Sequence, residues 1–266
     1  MRYKDLYIYA KEHKVDEKLC SYLINHYLFI KDNNKISKLK ELKFKIAIKK
    51  LKKEPIQYIV GNVDFYGFTY KVNKNTLIPR FETEELIENT IKYIREKFSN
   101  DNIDILDIGT GSGCIGITLK HMLPNSNITI TDISNKALRV AKHNAKGIDI
   151  NIIKGNMLNP IINNKYDVVI SNPPYISYSE EVMEIVKNNE PKLALYANNN
   201  GLYYYEEILK RVNKILKKEF IIAFEIGETQ KKEVIKLINK YLNNAKIISK
   251  KDMQGRDRMI FVVNKC

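Results

Sequence analysis

A strand candidate, Ile103 to Ile108, passes directly into Asp107-Ile-Gly109-Thr-Gly111-Ser-Gly113-Cys, and a helix-forming stretch begins at once. These three glycines at alternate positions constrain the fold more than any other feature of the chain. Glycine has no Cβ, so the backbone can turn tightly there and come close to a ligand. The helix that follows points its unpaired N–H groups at whatever occupies the turn. A strand feeding a helix through such a turn belongs to an α/β sheet, and the pattern after Asn100 agrees. Strand candidates are Ile103 to Ile108, Ile128 to Asp132, Ile150 to Ile153, Tyr166 to Ser171, Phe220 to Glu225, Ala245 to Ile248 and Met259 to Val263. Helices fall between most of them, for instance Ser134 to Asn144, Tyr203 to Leu216 and Thr229 to Leu242. This alternation predicts an α/β class, doubly wound sheet of seven strands, with its last two strands an antiparallel hairpin around Gln254-Gly255.

The first part of the chain has a different period. From Tyr3 to about Lys53 apolar residues recur at helical spacing, as in Leu19, Tyr22, Leu23, His26 and Tyr27. A helical N-terminal domain is predicted over 1–54, ended by Pro55. Gln57-Tyr-Ile-Val-Gly61 and Val63 to Val72 read as two short strands with glycines at the bends. They predict a β-hairpin linker over 55–76, leading into a larger domain over 77–266. A helix is predicted from Glu82 to about Phe98, opened by Thr83 and carrying acidic residues in its first turn, where the helix dipole favours them.

Composition narrows the chemistry. The cysteines Cys20, Cys114 and Cys266 are odd in number and far apart, which argues against a disulfide framework or a zinc site. Cys114 reads as a small buried residue at a helix start. His13, His26, His121 and His143 show no ligand spacing, so no metal is expected. No apolar stretch approaches a membrane span, and Met1-Arg-Tyr-Lys-Asp lacks a signal-peptide core, so a cytoplasmic location is expected. The net charge of +14 invites a nucleic-acid partner. Lysines are nevertheless spread over the whole length, and only Lys38 to Lys53 forms a cluster. That cluster reads either as a solvated helix face or as an indirect contact with an RNA-containing partner.

The second informative loop follows the strand Tyr166 to Ser171. Asn172-Pro173-Pro174-Tyr175 contains two residues without an N–H, and each proline pushes the residue before it into extended geometry. The segment therefore offers carbonyl oxygens and one Asn amide, with few competing donors, to a group carrying two N–H bonds. Tyr175 adds a ring face for stacking. The residues alone leave adenine, guanine, glutamine or a simple strand-terminating turn open. Asp132, nineteen positions beyond Gly113, ends the next strand where a ribose hydroxyl pair would lie. The spacing G-x-G-x-G, unlike G-x-G-x-x-G, suits a nucleoside without a pyrophosphate.

Together, the D-x-G-x-G-x-G turn, the acid after the second strand and N-P-P-Y after the fourth resemble S-adenosylmethionine-dependent methyltransferases that act on amino groups. Further strings narrow the resemblance: Pro55-Ile-Gln-Tyr-Ile-Val-Gly61, Phe65-Tyr-Gly67, Leu77-Ile-Pro-Arg80-Phe-Glu-Thr-Glu84, Asn172-Pro-Pro-Tyr-Ile176, Glu190-Pro191, Glu225-Ile-Gly227 and Asp252 to Arg258. As a set they resemble the HemK-type protein-glutamine methyltransferases, from about residue 55 to the C-terminus. The resemblance implies a Rossmann-like methyltransferase sheet with a small helical N-terminal domain that docks the substrate, joined by a β-hairpin. It implies transfer of a methyl group to the side-chain amide of the glutamine in the Gly-Gly-Gln motif of peptide-chain release factors, by a monomer. Close relatives modify a ribosomal protein, and N-P-P-Y also occurs in adenine-specific DNA methyltransferases acting on the exocyclic amine.

Carried over by position, Gly109, Thr110, Gly111, Ser112 and Gly113 would wrap the methionine end of S-adenosylmethionine, Asp132 its ribose, and Asn156 and Met157 its adenine. Asn172 would border the cofactor and, with the Pro173 carbonyl, accept the two amide hydrogens of the substrate; Pro174 and Tyr175 complete the catalytic set. Two positions depart from the family. Asn156 stands where aspartate is usual, which removes charge assistance from the bond to the adenine amine, and Phe81 stands where proline is common. Arg80, Glu82 and Glu225 would line the same cleft or form a buried ion-pair network.

Overall fold

The computed structural model describes residues 2–29, 36–100, 102–243 and 245–264. Cys266 lies outside them, and Cys20 and Cys114 are buried free thiols. Two compact units emerge, Met1–Asn62 with Val182–Asn189, and Val63–Glu181 with Glu190–Cys266.

The first unit is helical, as its period predicts. It contains α1 (Tyr3–Glu12), α2 (Glu17–Tyr22), a π-helical turn (Leu23–Leu28), α3 (Lys38–Lys50) and α4 (Ile56–Val60). Asp16 caps α2 by accepting from the Leu19 N–H at 2.8 Å, and Ser37 caps α3 by accepting from Lys40 at 3.3 Å. Leu6, Leu23, Ile24, Phe44 and Ile48 form its core. Within the lysine cluster, Lys38, Lys43, Lys49 and Lys50 are exposed while Phe44, Ala47 and Ile48 on the same helix are buried.

One predicted strand is wrong here. Gln57 to Gly61 is not extended: α4 occupies Ile56–Val60, with Pro55 at its N-cap and Gly61 closing it at φ 87°. Ile56, Ile59 and Val60 pack on the helical core, at the i, i+3, i+4 spacing of one helix face. The hairpin is therefore shorter, β1 (Asn62–Phe65) and β2 (Phe68–Lys71), turned by Tyr66 and Gly67, both at positive φ. From Val63 on it belongs to the second unit and is fastened within it: the Tyr70 hydroxyl lies 2.7 Å from Thr118 Oγ1, and the Lys71 N–H donates to Asn144 Oδ1 at 2.9 Å.

The second unit continues with α5 (Phe81–Lys97), β3 (Asp104–Ile108), α6 (Cys114–Met122), β4 (Asn127–Asp132), α7 (Asn135–Asn144), β5 (Asn151–Lys154) and β6 (Tyr166–Ser171). After a minor strand β7 (Ile176–Ser177) the chain passes through the short helix α8 (Glu184–Asn189), which belongs to the first unit, and the second unit resumes with the one-turn α9 (Lys192–Leu195), β8 (Tyr196–Ala197), α10 (Tyr203–Val212), β9 (Leu216–Glu225), α11 (Lys231–Tyr241), β10 (Ala245–Lys251) and β11 (Asp257–Asn264). Seven strands form one sheet in the order β10-β11-β9-β6-β3-β4-β5. All are parallel except β11, which runs antiparallel to both β9 and β10. The sheet is thus the predicted doubly wound one, with the hairpin at its edge.

Two boundaries moved. Leu216 opens β9 and does not end the preceding helix, which stops at Val212. Helix α5 begins at Phe81 with Arg80 as N-cap, so Thr83 sits inside its first turn and does not cap it.

Every residue of β6 is buried, as expected of a strand with parallel neighbours on both sides. Leu106 and Ile108 face a core shared with Tyr205, Leu209, Val234 and Ile238 of α10 and α11. Alternation along the strand turns Asp107 to the opposite face, where it meets the N–H of Gly116 on α6. After β5 the chain returns to the other side of β3, so the order reverses between β3 and β6. Ligands of such sheets bind in the crevice at that reversal, beyond the carboxyl ends of the strands.

Candidate active site

In the register of this sheet Ile108 pairs with Ser171, so the loops after β3 and β6 leave the sheet at one level. Ser171 Oγ donates to the Ile108 carbonyl at 2.7 Å and ties the two exits together. The glycine turn and the Asn-Pro-Pro segment consequently open into one cleft.

Backbone geometry builds the glycine side. The N–H groups of Gly109 and Thr110 both donate to the Thr131 carbonyl at 2.9 Å. Gly109 and Gly111 have φ of 72° and 57°, and a Cβ added to either would meet nothing within 4 Å. These two glycines keep the cleft-side space clear for a ligand. Gly113 acts differently: at φ 85° it is the N-cap of α6, and a Cβ there would lie 2.8 Å from Ile117 and 3.2 Å from Ala141. It packs the helix and is not among the residues lining the cleft. Asp107 is fully buried, accepting from Thr110 Oγ1 at 2.5 Å and the Gly116 N–H at 3.1 Å. Burial pushes its carboxyl up to about 7. Cys114 starts α6 as expected, and burial raises its thiol to about 12, which keeps it in the neutral, weakly nucleophilic form.

Asp132 ends β4 inside the cleft. Its Oδ2 accepts from the Gly111 N–H at 2.9 Å and its Oδ1 from the Ser134 N–H at 2.7 Å. Each carboxylate oxygen keeps a second lone pair for a ligand hydroxyl. Beside it stand Ile133, Asn156 and Met157, the last at a positive φ of 48°. The exposed Ile133 and the largely buried Met157, both lining the cleft next to an acid, suit the ring and sugar of a nucleoside. Ile133, 47% exposed, was not anticipated from sequence, although an isoleucine left outside the apolar strand run was its visible signal.

On the other side, Asn172, Pro173 and Pro174 line the cleft with Arg80, Thr83 and Leu193. Tyr175 does not: its ring packs against the core of α10 and α11, and its hydroxyl donates to Glu225 Oε1 at 3.4 Å. Buried side chains hold this loop. Asn172 Nδ2 donates to Thr83 Oγ1 at 3.1 Å, and Thr83 Oγ1 donates to Glu225 Oε2 at 2.6 Å. Gln230 Nε2 donates to the Tyr175 carbonyl at 2.8 Å. Gly201 lies so close that a Cβ would stand 2.0 Å from that same carbonyl. Arg80 and Glu225 belong to separate sets, since Arg80 pairs with the buried Glu190, which also accepts from the Ile78 N–H at 3.0 Å. Glu82 is not among the lining residues. Burial pushes the Glu225 carboxyl up to about 7, against the pull of the Thr83 bond and the Arg258 charge. Among the described residues no group of three or more His, Cys, Asp and Glu side chains could hold a metal, and no helix is long and apolar enough to cross a membrane.

Gln230 and Gly201 were not singled out from sequence, and Thr83 was read only as the opening of a helix. Thr83 had a readable signal: it shares the helix face of Ile87, Thr90, Ile91 and Ile94, all buried, and a polar side chain on such a face needs a partner.

Residues 85–236, more than half of the chain, match the family described as Methyltransferase small domain. The chain is 40% identical over 242 residues to a release factor glutamine methyltransferase of Flavobacterium psychrophilum, covering 88% of this chain and 85% of that one. It is 39% identical over 262 residues to a protein of the same name from Fusobacterium nucleatum, covering 96% of this chain and 71% of the other. Among solved structures it is similar to a methyltransferase from Pyrococcus furiosus, with a TM-score of 0.56 and 15% identity over 84% of this chain and 98% of the other. That last likeness is one of fold.

Proposed function

The chain belongs to the release factor glutamine methyltransferases, and we propose that it methylates the side-chain amide nitrogen of the glutamine in the Gly-Gly-Gln motif of a peptide-chain release factor, with S-adenosylmethionine as donor. The observation that carries this reading is the meeting of the glycine turn, Asp132 and Asn172-Pro173-Pro174 in one cleft.

The residues fit the donor. Gly109 and Gly111 leave the backbone approachable, Asp132 would accept from the ribose hydroxyls, and Met157 and Ile133 would present apolar surface to the base. Asn156 would accept from the adenine amine through its carbonyl oxygen. When bound, S-adenosylmethionine supplies an electrophilic methyl group.

Everything else is positioning. An amide nitrogen is a poor nucleophile because its lone pair is delocalised into the carbonyl. Asn172 Oδ1 and the Pro173 carbonyl each accept one of its two hydrogens, which fixes the plane of the amide and turns its face toward the donor end of the cleft. Alignment of this kind contributes several kcal/mol. The same acceptors stabilise positive charge as it grows on nitrogen. The methylated amide is strongly acidic and releases its proton to water, so no side chain has to act as a strong base. The core-packed ring of Tyr175 anchors the loop, and Pro174 supplies the apolar wall beside the acceptors.

The test offers labelled methyl donor to a purified release factor, to the same factor with its Gly-Gly-Gln glutamine changed, to isolated ribosomal proteins and to duplex DNA. Label should enter the intact factor and not the altered one. Label in DNA or in a ribosomal protein, with none in the factor, overturns the reading.

A further inference from the structure

Thr83 and Glu225 are polar and almost wholly buried, at 2% and 1% exposure. Neither is needed for the steps derived above. Their geometry nonetheless bears on those steps, because Thr83 Oγ1 stands between Glu225 Oε2 at 2.6 Å and Asn172 Nδ2 at 3.1 Å. A hydroxyl has one hydrogen and two lone pairs, whereas a carboxylate only accepts. The Thr83 hydrogen therefore goes to Glu225, and Thr83 turns a lone pair to Asn172. Only the NH2 end of that amide can satisfy a lone pair, so Oδ1 is the end left for the cleft.

We infer that Thr83 and Glu225 are positioning residues that set the polarity of the Asn172 amide, so that the methyl-accepting nitrogen meets an acceptor and not a donor. The inference rests on the proposed amide substrate. Glu225 reaches both ends of the tetrapeptide, since its Oε1 accepts from the Tyr175 hydroxyl at 3.4 Å while its Oε2 acts on Asn172 through Thr83. Its backbone is held as well, by the Tyr205 hydroxyl at 2.8 Å from the Glu225 carbonyl.

The relay has two directions. If Glu225 takes up a proton, it donates to Thr83, Thr83 donates to Asn172 Oδ1, and the amide turns its NH2 into the cleft. An NH2 facing a substrate NH2 forms no hydrogen bond and opposes the growing charge. The groups acting on Glu225 are Glu82 and Thr83 of α5, Cys114 at the start of α6, Tyr175 of the loop, Tyr205 of α10 and Arg258 of β11. Burial dominates them and raises the carboxyl to about 7, inside the range where the enzyme can be assayed. Activity should then fall as pH drops through that value, because the acceptor state requires ionised Glu225.

The experiment uses the full chain, an intact release factor and labelled methyl donor, with kcat, KM and cofactor affinity measured from about pH 6 to about pH 9. Thr83→Val should lower kcat about 10- to 100-fold while cofactor affinity stays within about twofold, and Thr83→Ser should recover kcat to within about threefold of the wild type. Glu225→Gln, whose amide can donate to Thr83, should be slow at every pH and lack the acid limb of the wild-type profile. A role in folding alone would weaken cofactor binding together with kcat and leave the acid limb in place. Wild-type kcat in Thr83→Val, or an unchanged acid limb in Glu225→Gln, overturns the inference; the second readout decides if Thr83→Val fails to bind cofactor. Absence of transfer by the wild type is a distinct failure, which removes the proposed substrate and the inference with it.

Discussion

The two walls of the cleft are held by different means. The turn after β3 takes its shape from its own backbone, through Gly109 and Thr110 on the Thr131 carbonyl and left-handed φ at three glycines, with Asp107, Asp132 and Asn144 bracing it. The loop after β6 is fixed by side chains from elsewhere, Thr83, Glu225 and Gln230, with Gly201 allowing close approach. A wall shaped by backbone conformation is most sensitive to a side chain forced to a positive φ. A wall held by side chains is most sensitive to the loss of one of those partners or of the room they need. This division matches the work proposed for each wall: the turn would have only to admit a ligand closely, whereas the Asn172 loop would have to present one atom of an amide in one orientation.

The largest expected effect breaks the acceptor wall alone. Asn172→Ala should lower kcat by about three orders of magnitude or more, since it removes one charge-stabilising acceptor together with the alignment it provides. Cofactor affinity by titration calorimetry should stay within about threefold. A paired loss of both quantities would erase the distinction between the walls.

A matched glycine pair sharpens it. Gly111→Ala forces an L-residue to φ 57° on the cofactor side and should weaken cofactor binding about 10-fold, with about 1 kcal/mol of lost stability. Gly201→Ala places a Cβ 2.0 Å from the Tyr175 carbonyl and should displace the acceptor loop, lowering kcat about 10-fold at nearly unchanged cofactor affinity. Binding isotherms and steady-state kinetics on the same two proteins check the crossover.

A third effect separates stability from activity at Glu225. Folding raises this carboxyl from an ordinary 4.5 to about 7, so its ionisation opposes the folded state. Its contribution is most favourable below about pH 4.5 and is lost as pH rises through 7. Glu225→Gln lacks that loss, and should be more stable than the wild type at pH 8 by an amount on the order of 3 kcal/mol, with the difference vanishing near pH 4. Denaturant melts at the two pH values measure it. Equal stability at both would mean that Glu225 is ionised at little cost. The smallest effect belongs to the nucleoside pocket, where Asn156→Asp should tighten cofactor binding about two- to fivefold by restoring charge assistance to the bond from the adenine amine.

The same contrast explains what could be read from the chain in advance. Glycines at fixed spacing act through local backbone freedom, so the places of Gly109 and Gly111 in the cleft were legible, as were those of Asp132 and of Asn172 to Pro174. The central strands were legible too, because burial on both faces leaves continuous apolar runs such as Tyr166 to Ser171. Local signals failed where two periods fit one short segment. Ile56 to Val60 is apolar enough for a strand and spaced for a helix, and only packing on the N-terminal core decides between them. They failed also where a role depends on distant partners. Thr83 meets Asn172 across 89 residues and Glu225 across 142, and no local pattern encodes such a meeting. Tyr175 shows the same gap, since a stacking ring and a core anchor look alike until Glu225 and α10 are in place.

The most direct measurement is tandem mass spectrometry of a release factor incubated with methyl donor and either the wild-type chain or Asn172→Ala. A single methyl on the side-chain amide of the Gly-Gly-Gln glutamine, present with the wild type and absent with the variant, is the predicted result. A methyl on any other group, or equal modification by the variant, would contradict the account of Asn172-Pro173-Pro174-Tyr175 as an amide clamp.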